Sequence, residues 1–420
     1  MTTAATETDH LLGGDIGNGE LNPNSDSSLN GRQLGYVSLA SLFVFVVVLG
    51  FSSIKLLKER PEFWVATILQ VEESSELKKG KGYNYCADDG LYSKRTLKLA
   101  YELPFIALFK DNRGQKTYEA SDVIKVDDIF YAVHDNSWAI SRFSAGLVHF
   151  SVDNVQVGEP KREKETSGYE AIVHSDGLFY VIRESIEFKS NEIKAKSGKK
   201  NKATPTFHAL VEELQINATD NYDILNSCPC EFTFEGTSKG FEGAIGIKDQ
   251  GNTFTLIGLC EGNYCSEGDK GKDSGNGRLV VMQKNLDANG TCVWSTIKIV
   301  NIPKTADFQD YSSIDINAEG RVAITSQEGS KVWIGQMTGL QENGLYDLTA
   351  LDLVDAKKGY PTVYDFPRNS NCDVVYCNIE GISWLNNQTL ISVSDRMKSG
   401  GKQNFQCFDK DQSVHVFSLP

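Results

Sequence analysis

Five times between Ser121 and Glu380 the chain repeats one short plan: an acidic or hydroxyl residue, a strand-like run, a turn rich in Gly, Asp or Asn, and a second run. Tyr118-Glu119-Ala120-Ser121 leads into 122–126, turns at Asp127-Asp128 and returns over 129–133. Tyr169-Glu170-Ala171 leads into 172–173, turns at Asp176-Gly177 and returns over 178–182. Phe241-Glu242-Gly243, Tyr311-Ser312-Ser313 and Ile379-Glu380-Gly381 open three more, with returns over 253–259, 321–325 and 389–393. The anchors Ser121, Glu170, Glu242, Ser312 and Glu380 are spaced by 49, 72, 70 and 68 residues. A strand–turn–strand unit repeated in this way marks a β-propeller, in which the innermost strand of every blade starts at one channel. Five residues scattered along 260 positions then converge on one ring.

Each repeat accepts four strands. The first adds 138–143 and 155–157 to its hairpin, the second 208–214 and 223–225, the third 278–284 and 293–300, the fourth 331–337 and 348–353. The fifth has its hairpin and 413–419, and is one strand short. The alternating segment 96–103 supplies the missing strand, so the two ends of the domain close the ring and leave no open edge. The expectation is an all-β, five-bladed propeller over 95–420. Six blades is the alternative, because 361–375 and 63–71 have room for further strands.

At 420 residues the chain exceeds the size at which one core stops growing, which repeats circumvent. A formal net charge of −14 argues against nucleic acid, whose binders present a basic face. Residues 34–54 hold no charge and match the ~20 residues needed to cross a bilayer. They lie too far in for a cleaved signal and read as a transmembrane signal anchor, with a polar, disordered cytosolic tail over 1–33 and a stem over 55–94. Glu7-Thr8-Asp9-His10-Leu11-Leu12 has the form of an acidic di-leucine sorting signal. All nine cysteines and three sequons, at Asn217, Asn289 and Asn387, follow the anchor. They place the body in an oxidising, glycosylating lumen: Golgi or ER, endolysosome or cell surface. The flanking charges point the other way, with Arg32 before the segment and Lys55, Lys58 and Arg60 after it, but that difference is small.

Strand direction says what surrounds the anchors. A hairpin partner returns to the mouth its innermost strand left, so His134-Asp135, Arg183-Glu184, Glu261, Gln327-Glu328 and Asp395-Arg396 should lie beside the ring. The polar loops 190–205, 266–277 and 397–404 follow three of them, and loops on one face of a rigid scaffold are where function concentrates. Three glutamates and two serines at one mouth form a hard, oxygen-only set suited to calcium. The same residues are also able to bond neighbouring blades, and spacing alone does not separate the two roles.

The chain resembles the soluble calcium-activated nucleotidases, calcium-dependent apyrases built as five-bladed propellers. Glu119-Ala120-Ser121-Asp122-Val123-Ile124 and Phe130-Tyr131-Ala132-Val133-His134-Asp135 look like that family's Glu-Leu-Ser-Asp-Leu-Ile strand and Leu-Tyr-Ser-Val-Asp-Asp partner. Tyr311-Ser312-Ser313 and Ile379-Glu380-Gly381-Ile382 look like its Phe-Ser-Ser and Tyr-Glu-Gly-Ile openings. The family's ligand order Ser, Glu, Glu, Ser, Glu falls on Ser121, Glu170, Glu242, Ser312 (or Ser313) and Glu380. The resemblance covers roughly 95–395. It implies one axial Ca2+ and hydrolysis of nucleoside diphosphates, with Asp135 or Glu184 activating water and Arg113, Arg183 and Arg396 meeting phosphate. The chain departs from the family at Gln70, where an Asp-Leu-Asp motif has an acid, and after Arg113-Gly114, where two residues are inserted. A non-catalytic calcium-stabilised propeller binding glycan or protein is the competing class, and esterase-like or phytase-like propellers are a third.

Overall fold

The computed structural model describes residues 94–160, 168–188, 206–235, 239–261, 265, 273–286, 290–358, 360, 362–369, 371, 373–397 and 405–420. The anchor, tail and stem, Gln70, Asn289, the loops 190–205 and 398–404, and most of 266–277 lie outside them. Among the described residues no helix is long and apolar enough to cross a membrane.

The described residues form five antiparallel sheets. Blade one is β2 (Ala120–Val126), β3 (Ile129–His134), β4 (Ser137–Ser144) and β5 (Val155–Val157). Blade two is β6 (Tyr169–Ser175), β7 (Leu178–Phe188), β8 (Thr206–Ile216) and β9 (Tyr222–Pro229). Blade three is β10 (Phe241–Lys248), β11 (Phe254–Cys260), β12 (Arg278–Leu286) and β13 (Cys292–Asn301). Blade four is β14 (Ser313–Ile316), β15 (Arg321–Ser326), β16 (Lys331–Met337) and β17 (Leu353–Asp355), with β18 (Val363–Asp365) also on β16. Blade five is β19 (Ile379–Asn386), β20 (Thr389–Ser394), β21 (Ser413–Ser418) and, outermost, β1 (Lys98–Pro104). The innermost strands pack in the order β2, β6, β10, β14, β19 and back to β2. This is a five-bladed propeller closed by its first strand.

Two details differ from the sequence reading. The outer strand of blade four starts at Leu353 rather than spanning 348–353, since Asp347 folds that stretch into a turn by accepting from Thr349 N. Residues 361–375 do contain a strand, but β18 lengthens blade four by pairing with Lys331–Trp333 and makes no sixth blade.

Local chemistry explains the hairpins. At the β6–β7 turn Asp176 and Gly177 both have positive φ, 52° and 79°, as a right-twisted two-residue hairpin requires. Alternation along each strand feeds two different cores. On β11, Leu256 and Cys260 pack into the core shared with blade two, whereas Ile257 and Leu259 pack into the core shared with blade four. Five such interblade cores surround the axis, and a blade alone would leave both faces wet.

At the axis the strands approach too closely for side chains. A Cβ on Gly243 would lie 2.9 Å from the backbone of Ser313 and Ile314, and one on Gly381 would lie 2.8 Å from Asp122 Cα. The Asp122 carboxylate crosses this narrow space. It accepts from Ile172 N at 3.1 Å and Ser313 Oγ at 3.0 Å, and Ser313 Oγ in turn accepts from Ile382 N at 3.0 Å. Four blades meet in that knot.

Disulfides Cys228–Cys292, between the outer strands of blades two and three, Cys260–Cys265 and Cys377–Cys407 are present, and Cys230 is a buried free thiol. The ring is fastened where β1 meets β21, with Glu102 opposite His415. Glu102 pairs with the Lys410 ammonium, stands 3.6 Å from His415 Nδ1 and accepts from Tyr376 OH at 3.3 Å. His415, and then Lys410, hold the Glu102 carboxyl down to about 2.

Replacing Glu102 by Gln should therefore loosen closure. At pH 7 the loss is about 1 kcal/mol, because the pair is partly exposed and screened. A depressed carboxyl stabilises above its unfolded value and stops doing so as pH falls through its folded one. Thermal unfolding of both proteins should show the gap narrowing as pH drops from 5 to 2. A constant gap would mean that packing, not charge, is what the substitution removed.

Candidate functional site

Four of the five anchors occupy β-bulges at the start of their innermost strands. The pairing slips between Ala120 and Asp122, Tyr169 and Ala171, Phe241 and Gly243, and Ile379 and Gly381, setting Ser121, Glu170, Glu242 and Glu380 out of the ladder. A bulge re-aims the extra side chain, which is why bulges gather at sites. Ser312 sits just before β14 and donates its N–H to Thr325 O at 3.0 Å. Just outside the bulges of blades one, three and five a bond of the opposite direction recurs, from the return strand to the inner strand: Asp135 N to Glu119 O, Glu261 N to Gly240 O and Asp395 N to Asn378 O. Five unrelated stretches of sequence thus build one rim.

The ring has two unlike halves. In blades one to three, Glu170 is 6% exposed. Burial first, and then the carboxylates of Glu242, Asp135 and Glu184, push its pKa well above the usual range. Ser121 Oγ opposes that rise from nearby, yet it is buried and outside hydrogen-bonding geometry to any protein atom. Two further anchors have protein partners that bear on their role. Ser312 Oγ donates to Ile379 O at 3.1 Å and lies 3.1 Å from Thr325 Oγ1, and Glu380 accepts from Gln327 Nε2. Ser313 Oγ belongs one layer down, on Asp122. Among the described residues, no three His, Cys, Asp or Glu side chains are gathered into a metal cage. The acidic half nonetheless suits a hard cation: a crowded buried carboxylate and an orphaned hydroxyl are what an oxygen-liganded ion would relieve.

The rim residues divide as well. Asp135 and Glu184 stand near enough to Glu170 to act on it electrostatically. Arg396 is half exposed at the mouth, 3.8 Å from Glu119. Arg183 points elsewhere. It pairs with Glu212 at 3.1 Å, stacks 4.9 Å from the Trp138 ring, and lines a separate cavity of about 300 Å3 between blades one and two. Tyr169 OH donates to the same Glu212 at 3.1 Å and meets Tyr222 OH at 3.2 Å. Arg113, left-handed at φ 49°, donates to the carbonyls of Gly158 and Asp220 at the outer edge of the same two blades. The Glu212 network was not anticipated, nor was the axial role of Asp122. An acid inside the apolar run after Ser121 was the available signal for the latter.

At the opposite end of the axis, beyond the Asp122 knot, the hairpin turns frame a recess of about 580 Å3. Asp315 lines it, with Oδ2 accepting from Ser383 Oγ at 2.9 Å and Trp384 N at 2.6 Å. Burial pushes its carboxyl up to about 6 despite those bonds.

No protein-family model matches the chain, and no curated protein matches it. Solved structures do. The PQQ-bound aldose sugar dehydrogenase of Streptomyces coelicolor is 9% identical over 76% of this chain and 98% of its own, with a TM-score of 0.36. The Myxococcus xanthus glutaminyl cyclase is 10% identical over 77% and 97%, with a TM-score of 0.36. The periplasmic gluconolactonase of Pseudomonas aeruginosa is 9% identical over 63% and 65%, with a TM-score of 0.27. Likeness this distant says nothing about chemistry.

Asp315 yields a signed prediction. A carboxyl whose folded value lies above its unfolded one binds its proton more tightly in the folded state, so stability rises as pH falls from about 7 to about 4. Asn at position 315 keeps one oxygen for both donors and carries no charge. Asp315→Asn should be more stable than wild type at pH 7.5 and should flatten the rise towards pH 5. Equal slopes in the two melting series would show that Asp315 is ionised throughout.

Proposed function

We propose that the upper mouth binds one hard divalent cation, Ca2+ by the family resemblance, and uses it to hold a phosphorylated small molecule in the secretory lumen. The observation that carries this is Glu170, a buried carboxylate whose strongest charged neighbours are three more carboxylates, beside the orphaned Ser121 hydroxyl. Ser121, Glu170 and Glu242 would be ligands from blades one to three, and water would fill the remaining positions of a six- to eight-coordinate ion. Ser312 and Glu380 join once Gln327 and the Ile379 carbonyl release them. The three disulfides suit the lumenal compartment.

Hydrolysis of nucleoside diphosphates is the chemistry the resemblance names. On this reading Asp135 or Glu184 would orient water and Arg396 would meet phosphate. A bound cation would supply charge stabilisation at phosphorus. Arg183 and Arg113 have structural duties instead, which favours a second reading: a calcium-stiffened propeller that binds glycan or protein without turnover.

Two measurements separate these outcomes. Ca2+ at a hundredfold excess over its dissociation constant should stabilise by about 2.7 kcal/mol. Glu242→Gln should abolish that shift in a thermal melt. Phosphate release from UDP, GDP and ADP by the purified full-length protein should depend on Ca2+, and Arg396→Ala should lower it about 10²-fold with the calcium shift intact. A calcium shift without phosphate release leaves the binding reading; no calcium shift at all removes both.

A further inference from the structure

The lower recess has a sugar-acceptor sequence at its rim. Asn387 lies at the tip of the β19–β20 hairpin, is exposed, and begins Asn387-Gln388-Thr389. Its side chain is held rather than loose. Asn317 Oδ1 accepts from the backbone N–H groups of Glu319 at 3.0 Å and Arg321 at 2.9 Å, which turns Asn317 Nδ2 outward. That nitrogen donates to Asn387 Oδ1 at 3.0 Å. Asn387 Nδ2 then faces Glu319, and Arg321 donates to the Asn387 carbonyl at 2.5 Å. The blade-four turn thus fixes the carboxamide of the blade-five turn, spending one Nδ2 hydrogen on Glu319. The second hydrogen has no acceptor among the described residues.

The space beside it has the chemistry of a hydroxylated ligand. Lys125, His174, Asp315 and Ser383 supply donors and acceptors around the wall, and burial lowers the His174 pKa. Trp384 also lines the wall, largely buried, with the Arg321 guanidinium 4.8 Å from its ring centroid. At about 580 Å3 the recess is in the size range of small-ligand sites. The Asp122 knot separates it from the carboxylate ring above.

We propose that Asn387 carries an N-linked glycan whose first sugars lie in this recess and cap the lower mouth, bracing the turns of blades four and five. The proposal rests on the lumenal reading of the domain. The sugar comes from an oligosaccharide carried on a lipid pyrophosphate. Asn387 Nδ2 attacks the anomeric carbon, the bond from that carbon to pyrophosphate oxygen breaks, the lipid pyrophosphate leaves with the electron pair, and Nδ2 loses a proton. The remaining Nδ2 hydrogen stays on Glu319, so attachment leaves the turn-to-turn contact in place.

The test is expression of the full chain in a secretory host, with site occupancy read by peptide mass spectrometry. Thr389 is buried and makes no side-chain hydrogen bond among the described residues, so Thr389→Val deletes the acceptor sequence while sparing the Asn387 carboxamide, and Thr389→Ser preserves it. Asn387 should be occupied. Thr389→Val should lower the melting temperature by roughly 2 °C or more and raise hydrogen exchange at both turns. Thr389→Ser should do neither. Occupancy at Asn217 or Asn289 with Asn387 bare overturns the proposal and spares the lumenal reading. Bare asparagines at all three positions overturn the two together. An occupied Asn387 with Thr389→Val indistinguishable from Thr389→Ser overturns the packing of the sugar.

Discussion

Asp122 is a carboxylate where a hydrocarbon would be easier to bury, and the propeller is organised around keeping it satisfied. Burial raises its pKa far above the normal range, and the opposing effects are its bonds from Ile172 N, Val123 N and Ser313 Oγ. Each donor comes with a position attached. Ile172 N fixes the height of blade two against blade one, and Ser313 fixes blade four across the axis while receiving Ile382 N from blade five. Removing one partner of such a group costs its full desolvation, about 1–3 kcal/mol or more for a charge, so the register of the inner strands is not negotiable. The bulged residues one step above inherit that register. Ser121 is aimed by the strand that Asp122 pins, and Ser312 by the strand that Ser313 pins.

The same geometry accounts for the unequal ring. Where an anchor's oxygen finds a donor or a backbone acceptor from its own or the next blade, as Glu380 and Ser312 do, the residue behaves as interblade structure. Where the strongest charged neighbours are themselves acids, as around Glu170, a proton or a bound cation would relieve the crowding. Spacing could not separate these roles, because both need an oxygen at the same bulge. What separates them is the return-strand residue beside each anchor: Gln327 beside Glu380, but Glu184 and Asp135 beside Glu170.

Much of the fold was legible. Strand-length runs broken by turns rich in Gly, Asp or Asn marked every blade, and the alternating segment 96–103 did become the closing strand. Boundaries failed where pairing is short, as at β17, because three residues leave little periodicity to read. The site was legible as a set of positions and less so as directions. Arg183 and Glu184 were both assigned to the mouth, yet neighbours on a strand point to opposite faces. One had to turn away, and Arg183 did, towards Glu212 and Trp138. Partners such as Glu212 are remote in sequence and carry no local mark.

A channel knotted at its middle is two pockets, and they differ in what they can hold. The upper one concentrates like charge at bulges, where side chains are aimed by backbone that four blades constrain. The lower one is framed by hairpin tips joined largely through side chains: Asn317 to Asn387, Arg321 to Trp384, Asp315 to Ser383. Loop tips tolerate change better than pinned strands, and they are also where an attached group costs least to accommodate. An ion that demands fixed oxygens belongs at the first mouth. A flexible, hydroxyl-rich chain that brings its own hydrogen bonds belongs at the second.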